Sequence, residues 1–214
     1  AHFTCVGHTR DEIDQMLGDM GRLGLENVLA LRGDPPKDQP DFDFSKNAYK
    51  YASELIGHIR NKTDMCIAAA AYLEGHVECK RLREDMNFLK QKVDEGVDFL
   101  VTQLFFDNRL FYDFLDRTAA LNINCPVTPG VMPIFKADQI KTITARSGCS
   151  IPAKLVLMMD KYHDNPDDLR KAGIEYAALQ IRDLINNGAA GIHLYTMNRP
   201  KSTQEILEAA GLCV

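Results

Sequence analysis

No stretch of this 214-residue chain approaches the roughly 18 consecutive apolar residues of a membrane-crossing helix, so no bilayer span is predicted. Positive charge is not in excess. The 25 Lys and Arg against 30 Asp and Glu leave a net charge of -5. That balance argues against a nucleic-acid coat or a polybasic membrane patch, but it permits an anion held locally by a few cations. The cysteines are Cys5, Cys66, Cys79, Cys125, Cys149 and Cys213, and they form no C-x-x-C pair. The histidines include no H-E-x-x-H. Neither a zinc site nor a disulfide framework is predicted; reduced, buried thiols and a cytoplasmic setting are. Asn61-Lys62-Thr63 matches a glycosylation sequon with nothing else pointing to secretion. No signal or targeting segment is visible. The chain opens on Ala1 inside an apolar segment, so further residues upstream are expected. Also lacking is a G-x-G-x-x-G after the first strand. Gly18, Gly21 and Gly24 lie on a predicted helix and make no phosphate loop.

What is present is ordinary in amount, with 45% apolar and 26% charged residues, as in a globular protein able to build a sizeable core. The pattern is more telling. Strands are predicted at Ala1 to Gly7, Glu26 to Gly33, Met65 to Tyr72, Phe99 to Phe106, Pro126 to Ile134 (interrupted by Pro129-Gly130) and Gly191 to Tyr195. Helices separate them. Thr9-Arg10-Asp11-Glu12 is a capping box opening the first helix, which Gly24 stops. Residues 137–187 are mostly helical, with breaks near Gly148 to Pro152 and Asn165-Pro166. Ser202-Thr203-Gln204-Glu205 reads as a second capping box for a closing helix. Phe99 to Phe106 is apolar on both faces, as a buried parallel strand is. Such alternation without a linker predicts an α/β fold with a parallel sheet, taken as one domain over 1–214. An eight-stranded (β/α)8 barrel of the TIM type needs about 250 residues. We expect such a barrel lacking its first two strand–helix units, with an open doubly wound sheet as the alternative.

In a parallel barrel all carboxyl-terminal strand ends face one side, so polar groups there converge. His2 with Thr4, Arg32 with Asp34, Tyr72 with Glu74 and His76, Thr102 with Gln103, and Tyr195 with Asn198 and Arg199 are the candidates. The run Leu31-Arg32-Gly33-Asp34 ends an apolar strand on a charged pair around a close-approach glycine, then breaks at Pro35-Pro36. Gln103 interrupts a fully apolar strand and is expected to be buried, either bonded to nearby backbone or kept to bond a ligand ring. Asp85, Lys90 and Lys92 form a solvated helix face or an anion contact beside the Tyr72–His76 loop.

Taken in order, these segments resemble the methylenetetrahydrofolate reductase family. The likeness runs through His2-Phe3-Thr4-Cys5, Asn27 to Asp34, Ala71 to His76, Thr102 to Asp107, Pro129 to Ile134 and Tyr195 to Arg199, essentially the whole chain. The resemblance implies a flavin-dependent barrel that reduces 5,10-methylenetetrahydrofolate to 5-methyltetrahydrofolate. FAD takes a hydride from NADH or NADPH, the nicotinamide leaves, and folate takes its place in a ping-pong scheme. Carried over by motif, FAD would be contacted by His2, Arg32, Gly33, Asp34, Tyr51, Ala52, Ser53, Tyr72, His76, Asp85 and Lys92. Asp34 would be the catalytic carboxylate beside the flavin ring, disfavouring negative charge on the reduced ring and stabilising a cationic folate. Gln103, Gln139 and Arg199 would bind folate, Gln103 serving the nicotinamide in turn. No metal is implied.

The chain departs from the family pattern in places. Leu73 and Val77 stand where prolines are usual, which would loosen that loop, and Gln91 stands where some members carry a base. The family's general acid, a Glu on the first barrel strand, has no match here, and Glu74 is not assigned its role. Two other readings are a different FAD barrel dehydrogenase, such as one related to proline dehydrogenase, and a non-catalytic barrel subunit or fragment serving a partner. A folate substrate, no nucleic acid, no membrane and a possible homo-oligomer complete the expectation.

Overall fold

Amphipathic spacing and local caps mark out the helices in the sequence. In the computed structural model, which describes residues 1–35, 42–44 and 47–212 (apart from the side chains of Ala137, Gln139 and Lys141), six strands alternate with eight helices. The loop expected to run to about Ser45 lies largely outside the described residues, as do Pro36 and Cys213. The chain divides into two compact units, each built from three stretches. One comprises Ala1–Ala71, Asn87–Leu100 and Ile123–Pro126; the other comprises Tyr72–Met86, Val101–Asn122 and Val127–Val214.

In the first unit, β1 (His2–Thr4), β2 (Asn27–Leu31) and β3 (Cys66–Ala71) pair in parallel, with His2 opposite Leu29 and Leu29 opposite Ala68. Phe3, Val28, Ala30, Ile67 and Ala69 are buried. The alternate residues Thr4, Leu29 and Leu31 are only half-buried. Helix α2 (Ala52–Lys62) packs on β2 and β3 and presents Leu55, Ile56 and Ile59, all fully buried. Burying each such side chain contributes about 1.5–3 kcal/mol. Helix α1 (Arg10–Arg22) has the expected capping box: Thr9 Oγ1 accepts from Glu12 N–H, and Glu12 accepts from Thr9 N–H at 2.8 Å. Leu23 is its C-cap, and Gly24 follows with φ +72°.

The end strands are shorter than expected. β1 stops at Thr4 because the chain turns at Gly7 with φ +74°, although Cys5 N–H and Val6 N–H still donate to Leu31 and Arg32 carbonyls. β6 (His193–Leu194) likewise ends before Tyr195, whose N–H donates to Val131 O at 2.9 Å.

Helix α3 (Leu82–Asp94) precedes Gly96, at φ +110°, and β4 (Phe99–Leu104) follows. In the second unit come α4 (Asn108–Ala120), β5 (Val127–Val131), α5 (Ala137–Ser147), α6 (Ala153–Lys161), α7 (Pro166–Asn186), β6 and α8 (Pro200–Ala209). Both breaks predicted between 137 and 187 are present: Gly148 caps α5 at φ +71°, and Asn165 caps α7 ahead of Pro166. β5 pairs in parallel with β6, Gly130 opposite His193. Pro129-Gly130 does not interrupt β5, contrary to expectation; Gly130 is a strand residue whose N–H is taken by Thr102 Oγ1 at 2.8 Å. Leu104, Phe106, Met132, Ile134, Ile140, Cys149 and Leu155 form a buried cluster.

The second capping box is absent. Pro200 starts α8 one turn earlier, which places Ser202 and Glu205 inside the helix, where both accept hydrogen bonds from Arg170 on α7.

Candidate active site

In the first unit the chemistry gathers at the carboxyl-terminal ends of β1 and β2. Arg32 O accepts from Val6 N–H at 2.9 Å and lies 3.5 Å from the Cys5 thiol, so the two ends are bonded beyond their last strand residues. Burial pushes the Cys5 thiol upward, keeping it protonated as a weak donor. Gly33 is the close-approach glycine expected, with φ +90°. What approaches it is protein: a Cβ there would lie 2.4 Å from Val6 Cγ1 and 3.1 Å from Thr4 Cβ. Asp34 follows as an exposed residue. The Arg32 guanidinium lies 4.5 Å from the centre of the Phe44 ring.

The segment entering α2 is tied to the same corner. Gly7 N–H donates to Asn47 Oδ1 at 3.1 Å, and Ala48 N–H donates to His8 O at 3.2 Å. Tyr51 is the N-cap of α2, with Ala52 and Ser53 opening the helix; Glu54 reaches back to accept from Lys50 N–H at 2.6 Å. These contacts bring Arg32, Gly33 and Asp34 into one corner with the approach to Tyr51, Ala52 and Ser53. Lys92 donates from Nζ to Ala70 O at 2.5 Å, which places its ammonium at the carboxyl end of β3. His2 does not belong to the strand end: it opens β1, and Thr4 closes it.

In the second unit, Tyr72 and His76 meet edge to face with ring centres 4.7 Å apart. Their loop is tied rather than loosened. Leu73 is buried, Arg117 donates to its carbonyl at 2.9 Å, and His76 Nδ1 accepts from Glu78 N–H at 3.2 Å. Glu74 accepts from Ser150 N–H at 2.9 Å. Asp85 sits half-buried in the first turn of α3.

Gln103 is half-buried, not buried as expected, and lies within β4 between the buried Thr102 and Leu104. Its Oε1 accepts from Leu104 N–H at 2.9 Å. A backbone N–H can only pair with the amide oxygen, so this bond leaves Gln103 presenting its NH₂ as a donor. Arg199 caps α8, exposed, with its guanidinium 5.0 Å from the centre of the Phe135 ring. It follows Met197 and Asn198, both left-handed at φ 51° and 56°. Gln139 lies on α5, and its side chain is outside the described part.

Phe44 and Phe135, the aromatic supports under both arginines, escape the sequence reading. Their only signal is a large aromatic soon after a strand, in a polar stretch for Phe44 and at the end of an apolar one for Phe135. An open cleft of about 710 Å³ lies elsewhere in the first unit, at the amino-terminal ends of β2 and β3, bounded by Gly18, Gly21, Leu25, Lys62 and Asp64. Among the described residues no group of three or more His, Cys, Asp and Glu could hold a metal, and no helix is long and apolar enough to cross a membrane.

Compared with known proteins, residues 1–211 match the family model of methylenetetrahydrofolate reductase. The chain belongs to the methylenetetrahydrofolate reductase family. It is 37% identical over 213 residues to methylenetetrahydrofolate reductase 1 of Schizosaccharomyces pombe, covering 99% of this chain and 35% of that protein. It is 35% identical to methylenetetrahydrofolate reductase (NADH) 1 of Arabidopsis thaliana, covering 99% of this chain and 38% of that one. The chain thus spans little more than a third of these curated relatives. Among solved structures it resembles a Clostridium thermocellum protein described as binding two copies of 5-methyl-5,6,7,8-tetrahydrofolic acid. The TM-score is 0.63 at 12% identity, over 99% of this chain and 71% of that one. At that identity the likeness is one of fold, the TIM-type α/β class.

Proposed function

We propose that this chain carries the reductive chemistry of a methylenetetrahydrofolate reductase, converting 5,10-methylenetetrahydrofolate to 5-methyltetrahydrofolate at the expense of NADH or NADPH through bound FAD. The observation that carries this reading is the family match over residues 1–211. The donor set suits a dinucleotide flavin. In the first unit, Arg32 and Lys92 are cations at strand ends, suited to a pyrophosphate, and Asp85 would serve the ribose by resemblance alone. His2, Gly33, Asp34, Tyr51, Ala52, Ser53, Tyr72 and His76 complete the set by resemblance. Bound FAD supplies a two-electron carrier between nicotinamide and folate.

The rest is done by the protein. Gln103, its oxygen held by Leu104 N–H, offers NH₂ donors to an acceptor. A pterin ring and a nicotinamide carboxamide both carry a carbonyl oxygen, so one side chain serves the two in turn, as a ping-pong scheme requires. Arg199, supported on Phe135, suits a folate carboxylate or ring by its chemistry, with Gln139 as its companion by resemblance. Asp34 supplies the exposed carboxylate that stabilises positive charge developing on the folate. The general acid belongs, by resemblance, to a strand outside residues 1–214. By resemblance, residues 1–214 belong to one barrel domain. Cytoplasmic residence follows from the reduced-thiol reading.

The test is the visible spectrum of the protein with FAD under anaerobic conditions. Bleaching by NADH or NADPH followed by recolouring with methylenetetrahydrofolate is the expected result. A flavin that binds and bleaches but is not recoloured points to the missing general acid; failure of the flavoprotein to bind 5-methyltetrahydrofolate at all refutes the substrate, and absence of flavin binding refutes the reading.

A further inference from the structure

The peptide that carries Gln103 is gripped twice within the second unit. Thr102 is fully buried; its hydroxyl accepts Gly130 N–H at 2.8 Å, and its carbonyl accepts the Tyr195 hydroxyl at 3.1 Å. The two grips depend on one glycine. A Cβ on Gly130 would lie 2.4 Å from Thr102 O and 2.9 Å from Tyr195 Cε2, so any other residue there would push both away. Tyr195 is itself tied to β5 by its N–H to Val131 O at 2.9 Å. Its phenol is pushed up to about 12, by burial first and by the neighbouring Tyr72 second, so it stays a donor throughout the physiological range.

A β-strand carbonyl has partners in its ladder; a phenol reaching in from beyond β6 to hold one at the strand's last turn toward Gln103 does something a ladder does not. Rotation of the Thr102–Gln103 peptide would swing the Gln103 side chain, and the Tyr195 bond opposes that rotation. We infer that Tyr195 is a positioning residue for the folate site: by holding the Thr102 carbonyl it aims the Gln103 amide at the ring it reads. The inference rests on the folate reading of Gln103 given above.

The experiment is a double-mutant cycle on the FAD-loaded full chain with Tyr195→Phe and Gln103→Ala, reading the Kd of 5-methyltetrahydrofolate by titration and, separately, KM and kcat. In the parent, Tyr195→Phe is expected to weaken folate roughly tenfold, about the value of one hydrogen bond to its neighbour's orientation. In the Gln103→Ala background it should have less than a twofold effect, because nothing remains to be aimed. FAD affinity should not move in either. Equal losses in both backgrounds, or none in the parent, overturn the inference: Tyr195 would then act on the fold at large or not at all. Thr102→Val severs the other grip while leaving Tyr195 in place; it predicts the same dependence on Gln103 and serves if Tyr195→Phe does not fold. A parent holoenzyme that binds FAD but no folate fails one step earlier, in the function itself, and takes this inference with it.

Discussion

Replacing Gly173 by alanine sets a backbone clash against a helix preference, and the structure says which prevails. Gly173 lies on α7 with Ile134, just beyond β5, directly beneath it. A Cβ there would lie 1.8 Å from Ile134 O and 2.8 Å from its carbonyl carbon. Ordinary contact begins near 3.4 Å, so helix and strand end must part by about 1.5 Å, and no side-chain rotation can relieve a clash with backbone. Overpacking on this scale costs about 3 kcal/mol, the upper end of its usual range. Alanine's better helix propensity returns at most about 1 kcal/mol. The net loss is about 2 kcal/mol, a fall in Tm of about 4–8 °C for a chain of this size. The separation would also pull on Tyr176, which donates to Phe106 O at 2.5 Å, and on Gln180, which donates to Phe105 O at 3.0 Å. The matched control is Gly18→Ala on α1, where the only atom near a Cβ is Arg22 Nη1 at 3.9 Å. There the propensity gain stands alone, and Tm should rise by about 2–4 °C. Thermal melts followed at 222 nm decide it. Two shifts of the same sign would show that close backbone approach is not what keeps Gly173 a glycine.

Other expectations follow from caps and charges. Thr9→Ala removes a side-chain cap and should cost about 1 kcal/mol, whereas Ser202→Ala, in the look-alike motif, loses no cap. If chemical denaturation shows Ser202→Ala releasing the start of α8, the reassigned helix start is wrong. Asp183 is held below the usual carboxylate range, by the Tyr112 hydroxyl first and the Asn108 amide second. A lowered folded pKa stabilises above the unfolded value and is lost as pH falls through the folded one, so Tm should decline below about pH 4. Asp183→Asn should flatten that decline. Tyr112 is pushed up to about 12 by burial and by Asp183, so its stabilisation is complete below the unfolded value near 10 and lost as pH rises toward 12. Tyr112→Phe should shorten the alkaline limb of the melt profile; an unchanged limb would contradict the assignment.

Local chemistry is legible along the chain wherever a few adjacent residues settle the outcome. The Thr9–Glu12 capping box, the Gly148 stop and the Asn165-Pro166 start each involve partners within a turn, so the residues alone place them. The same holds for the strand–helix alternation and for Leu55, Ile56 and Ile59 on the buried face of α2. Motif order points to the family for a related reason: the runs around Arg32, Gln103 and Arg199 are short and local in sequence.

The departures all involve contacts between residues far apart in the chain. Ser202 looks like a cap until Arg170, on another helix, claims it. Pro129-Gly130 looks like a break, but the missing side chain admits the Thr102 carbonyl and Tyr195. Gly33 looks open to a ligand, yet Val6 and Thr4 fill the space. Periodicity and caps are short-range physics and are written in consecutive residues. Which carbonyl a glycine may approach, and which side chain holds it, depends on packing that only the folded chain creates.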